Sequence, residues 1–89
     1  MALINIMEEI VSNEAQKLIK ETELSCNEDC INDIKAIALN SLPPKYVNTT
    51  KGQLFARIDA LLSQHQVDVQ VAVLKAIDIV KKNPRNLNK

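Results

Sequence analysis

The sequence is poor in the residues that build turns and stacking surfaces. It holds one glycine, Gly52, one tyrosine, one phenylalanine and no tryptophan. A single glycine leaves little room for β-hairpins, whose tight primed turns lean on it. It also excludes the glycine-rich phosphate loops of the Rossmann and Walker types. Two aromatic residues are too few for an RRM-like sheet that stacks several bases. No apolar run approaches the ~18 residues of a membrane span. No basic leader precedes a short apolar stretch, so no export signal is expected. The 11 basic and 11 acidic residues cancel, so no bulk attraction to DNA or to a membrane is expected. Two cysteines, Cys26 and Cys30, in a chain without export features point to a reducing cytoplasm.

What is present is helix-forming sequence. At 89 residues with 46% apolar content, the chain reads as one domain, residues 1–89, with enough material for a core. Residues 3–20 place Leu3, Met7, Ile10, Val11, Ala15, Leu18 and Ile19 at helical spacing, with Glu8, Glu9, Glu14 and Lys17 mainly on the other side. Ser25 and Glu28 stand in the relation of a capping box, and Ile31, Ile34, Ile37, Ala38 and Leu39 continue a second helix to about Leu42. Pro43 and Pro44 stop it. An extended connector leads to Gly52. From Gln53 to Asn83 no glycine or proline intervenes, and Leu54, Ile58, Leu61, His65, Val69, Ala72, Ala76 and Val80 recur in steps of three and four without loss of phase. That favours one long helix over two helices broken within residues 63–66. Pro84 ends it, and the tail beyond is expected to fray. The second half of this helix is apolar nearly all round, which demands burial on every side. The expected fold is therefore all-α: a small helical domain with a long C-terminal helix at the centre of an intertwined homodimer. Charge agrees, because residues 1–40 are net acidic and residues 41–89 net basic, which favours packing of the halves on each other or antiparallel pairing of two chains.

Three constellations could carry chemistry. His65 falls on the apolar stripe with Asp68 one turn away, a pair that reads as a helix contact rather than as a general base. No nucleophile elbow or zinc-protease helix accompanies it, so no enzyme activity is expected. Cys26 and Cys30 are four residues apart on the second helix, with Cys26 at its first position. They form half of a thiolate zinc site, with no second half in the chain, and the plain reading is one partly buried cysteine and one idle thiol. The third constellation is residues 38–52, which gather Asn40, Lys45, Tyr46, Asn48, Thr49, Thr50, Lys51 and Gly52 before a helix N-terminus. Cations, hydroxyls and free amides suit phosphate, and tyrosine suits the face of a base. The same residues also serve as a polar helix stop, turn and helix start, and the chemistry alone leaves both readings open.

The same segment resembles the late-competence ComFB family. Ala38, Leu39, Asn40, Leu42, Pro43, Pro44, Tyr46, Val47, Thr49 and Gly52 follow the family's central pattern. Asn5, Met7, Glu8, Val11 and Glu14 resemble its opening helix, and the stretch from Val73 to Arg85 its closing one. The resemblance implies a dimeric, helical, cytoplasmic protein without enzyme activity. It implies a receptor for a cyclic dinucleotide, cyclic di-GMP or cyclic di-AMP, acting on competence, motility or cell size through an unknown protein partner. Under it, Lys45, Lys51 and Arg57 supply charge to phosphate, and Thr49, Thr50 and the amides near Gly52 bond its oxygens. Tyr46 stacks on a purine, and Asn40 reads a base edge or braces the loop. Some members carry more cysteines and bind zinc; with Cys26 and Cys30 alone this chain is not expected to need a cofactor. The competing reading is a dimeric structural or interaction protein, with or without a zinc site, that binds no nucleotide.

Overall fold

The computed structural model describes residues 2–49 and 51–82. Strand β1 (Ala2–Asn5) leads into helix α1 (Ile6–Glu21), followed by helix α2 (Glu28–Asn40), strand β2 (Tyr46–Thr49) and helix α3 (Lys51–Lys82). The domain is mostly helical, with a long C-terminal helix as expected. It is not purely α, because β1 and β2 form an antiparallel ribbon that pairs Ala2 with Thr49, Leu3 with Asn48, Ile4 with Val47 and Asn5 with Tyr46.

The ribbon corrects the start of the first helix from residue 3 to residue 6. Apolar spacing runs on through Leu3, but Leu3 is 73% exposed and lies on the outer face of the ribbon. Ile4 and Val47 are half-buried beneath it, as strand alternation requires. Asn5 ends the strand and caps α1: its Oδ1 accepts from the Met7 amide at 3.2 Å. Thr22 closes α1, with its amide donating to Leu18 O at 2.9 Å and its hydroxyl to the same oxygen at 2.8 Å.

The N-cap of α2 is Asn27, not Ser25. Its Oδ1 accepts from the Cys30 amide at 2.9 Å. Cys26 therefore precedes the helix instead of opening it. Ser41 ends α2, its hydroxyl donating to Ala38 O at 2.8 Å, just ahead of the two prolines.

α3 is not a single straight rod. His65 has φ −123° and ψ 16°, outside the helical region, and the helix kinks there. A straight helix of 32 residues would be about 48 Å long, more than the 41 Å longest dimension of the molecule. The break thus falls within the window that the unbroken apolar phase argued against.

The core is a three-helix junction. Ile6, Met7, Ile10, Val11, Ala15 and Leu18 come from α1, Cys30, Ile34 and Ala38 from α2, and Val69, Ala72, Val73, Ala76 and Ile77 from α3. The α3 positions recur at i, i+3, i+4, i+7 and i+8, one face of a helix. The acidic first half accordingly packs on the basic second half, since α3 packs against both α1 and α2. The opposite face of α3 is left open in the single chain: Val67, Val71 and Leu74 are 69%, 42% and 46% exposed.

Candidate functional site

The ribbon and the turn before it position the candidate residues. Lys45 enters by backbone alone. Its amide donates to Asn5 Oδ1 at 2.9 Å, and its carbonyl accepts from the Ile6 amide at 2.8 Å. One asparagine side chain thus caps α1 and fastens the segment after Pro44. With its backbone held, the exposed Lys45 side chain lines a cavity of about 110 Å³ with Met7, Leu42, Pro43, His65 and Asp68. This places His65 beside a candidate residue. Its Nδ1 is 3.8 Å from Asp68 Oδ2, a partly exposed pair of little energetic weight.

Tyr46 opens β2 and is 64% exposed. It lies opposite Asn5 on the outer ribbon face and lines a different cavity, of about 340 Å³, with Leu3, Ile4, Asn5, Glu8 and Glu9. Lys45 and Tyr46 are neighbours in sequence, yet they line different cavities. Glu8 and Glu9 were not candidates by sequence, where they read as the solvated face of a helix. They reach this cavity because β1 turns into α1 beside Tyr46. Two carboxylates beside an aromatic ring make a poor phosphate site and a good acceptor for N–H donors.

The remaining candidates are spread along the chain. Asn40 is the exposed last residue of α2. Thr49 ends β2 opposite Ala2, and Lys51 and Gly52 open α3, with Arg57 further along it. The side chains of Thr49, Lys51 and Arg57 lie outside the described residues, as does all of Thr50. A third cavity, of about 350 Å³, lies between Ser41, Leu42 and Pro43 on one side and Asp68, Val71, Ala72 and Lys75 of α3 on the other.

Cys26 and Cys30 are joined by a disulfide, with their Cα atoms 5.3 Å apart. This corrects the expectation of a partly buried cysteine and an idle thiol. They stand four positions apart, and the turn that Asn27 caps brings the two side chains to one side. Among the described residues, no group of three or more His, Cys, Asp or Glu is placed to hold a metal ion. None of the described helices is long and apolar enough to cross a membrane.

The comparisons with known proteins bear on the fold and the family. None of the curated proteins matches the chain. A solved structure of the late competence protein ComFB from Bacillus subtilis is similar, with a TM-score of 0.75 over 93% of this chain and 92% of that one. At 24% identity it is a likeness of fold. The sequence model of the family described as late competence development protein ComFB matches residues 4–84, so all three helices, β2 and the Pro-Pro corner fall within it, and the chain belongs to the ComFB family.

Proposed function

We propose that this chain is a non-enzymatic regulatory protein that binds a cyclic dinucleotide as a homodimer and passes that state to a protein partner. The observation that carries the reading is the exposed Tyr46 ring in a cavity shared with Glu8 and Glu9. The cavity has the size of small-molecule sites. A ring face accepts a purine by stacking. The carboxylates favour guanine, whose Watson–Crick edge offers two neighbouring N–H donors where adenine offers one amine. Cyclic di-GMP is therefore the expected ligand over cyclic di-AMP. Lys45, next to Tyr46 in the chain, and the start of α3 at Lys51 supply positive charge to the phosphates.

The open face of α3 supports the homodimer. Val67, Val71 and Leu74 lie within about 60° of one another around the helix, an apolar stripe with water as its neighbour in one chain. Full burial of each would contribute about 1.5–3 kcal/mol. A second copy covers the stripe and matches the two-fold symmetry of the ligand.

Titration calorimetry of the full chain with both cyclic dinucleotides tests the proposal. Cyclic di-GMP is expected to bind the more tightly. Tyr46→Ala is expected to lose about 1–3 kcal/mol of binding with the fold retained. Heat from neither ligand on folded protein would refute the receptor reading, and a monomeric mass in light scattering would refute the dimer. One observation favours the competing interaction-protein reading: both backbone groups of Lys45 are spent on holding the ribbon. If Tyr46→Ala unfolds the chain instead of weakening binding, the motif is architectural.

A further inference from the structure

We propose that the Cys26–Cys30 disulfide is a reversible thiol-exchange site that takes a low-molecular-weight thiol at Cys26. Three features of its placement point there. The bond spans the start of α2, from the residue before the N-cap to the third helical residue. Asn27 already fixes that turn, through its side-chain bond to the Cys30 amide and the Ile31 amide on its carbonyl at 2.9 Å. With only three residues between its ends, the bond closes a small loop and constrains the unfolded chain little. The fold therefore does not depend on it, which separates it from a structural staple.

The two sulfurs are also unequal. Cys30 is 9% exposed and belongs to the core with Ile34 and Ala38, whereas Cys26 is half-buried at the edge of that core. An incoming thiolate reaches Cys26 first. As its sulfur bonds to Cys26 Sγ, the Cys26–Cys30 bond breaks and the electron pair departs on Cys30 Sγ. One disulfide replaces another, with no net oxidation or reduction. Cys30 is a suitable leaving group because it stands in the first turn of α2, where the positive helix end favours a thiolate. Glu28 and Asp29 in the same turn oppose this, but both are exposed and water screens them. The released Cys30 thiolate takes a proton from solvent, or attacks the adduct and expels the small thiol, restoring the original bond.

The test uses the full air-oxidised chain and reduced glutathione as the probe under native conditions. Acid quenching, alkylation of free thiols and peptide mapping then locate the adduct. Glutathione is expected on Cys26 and the alkyl group on Cys30, in roughly tenfold excess over the reverse pattern. Exchange is expected to run much faster than global unfolding, timed in parallel by urea jump. The Cys26→Ser, Cys30→Ser double variant is expected to keep its helical circular dichroism. An adduct mainly on Cys30, exchange no faster than unfolding, two free thiols in the air-oxidised chain, or loss of fold in the double variant would each overturn the proposal.

Discussion

Glu23 has φ 55°, the one positive φ at a non-glycine position among the described residues. It sits just past Thr22, the C-cap of α1, where chains commonly use glycine. The surrounding bonds explain why the conformation persists. The Glu23 amide donates to Lys20 O at 3.3 Å and the Leu24 amide to Ile19 O at 3.2 Å, the paired bonds of a Schellman turn. Ile19 and Leu24 both pack against the core, so the turn is held from below as well. An L-residue in the left-handed region costs about 1–2 kcal/mol. Glycine removes that cost but gives the unfolded chain about 0.4–1 kcal/mol of extra freedom. The balance predicts that Glu23→Gly stabilises the protein by about 1 kcal/mol. Glu23 is exposed, so loss of its side chain adds little. Urea unfolding at one fixed protein concentration measures this. The midpoint should rise by about 0.3–1 M with an unchanged slope, and the melting temperature by about 4–8 °C. Glu23→Ala, which keeps the Cβ, should stay within about 0.5 kcal/mol of the parent. A Glu23→Gly protein no more stable than the parent would refute the claim that this turn stores backbone strain.

Two further perturbations test the site's framework. Asn5→Ala removes the acceptor shared by Met7 and Lys45, and is expected to cost about 1–3 kcal/mol in thermal unfolding. Asn5→Asp, which keeps the acceptor, should recover most of that loss. Glu14 is 6% exposed, and its Oε2 has no hydrogen-bond partner among the described residues. Glu14→Met, similar in length and free of that unsatisfied oxygen, is expected to gain about 1–3 kcal/mol in urea unfolding. A loss of stability would show that Oε2 is satisfied in the assembled protein.

The helices were legible because their signals are local. Spacing marked the buried face of α1 from Met7 to Leu18, and Pro43 and Pro44 bounded α2. The ribbon was not legible, since Leu3 and Ile4 continue the apolar phase of α1 while their strand partners, Asn48 and Val47, lie far along the chain. The cap of α2 was misplaced because Ser25 and Glu28 satisfy a pattern that Asn27 satisfies in space. The kink at His65 escaped because the apolar spacing of the sequence runs through that position without loss of phase. At the site, the exposure of Lys45 and Tyr46 followed from their polar surroundings. That they face different cavities, and that Tyr46 shares its own with Glu8 and Glu9, depends on the pairing of Asn5 with Tyr46. No short-range pattern encodes that pairing.

The β1–β2 ribbon also sets an order of events. Asn5 and Lys45 are 40 residues apart, so joining them costs about 3 kcal/mol of loop-closure entropy unless α1 and α2 have already docked. The helices form from near neighbours; the ribbon waits for them. It is thus expected to close last in folding and to open first in the native state, exposing the amides of both strands to hydrogen exchange while the three-helix core stays protected. Tyr46 lies on that last-closing unit. A ligand that grips it would slow exchange at the amides of both strands and would tie the beginning of the chain to its middle.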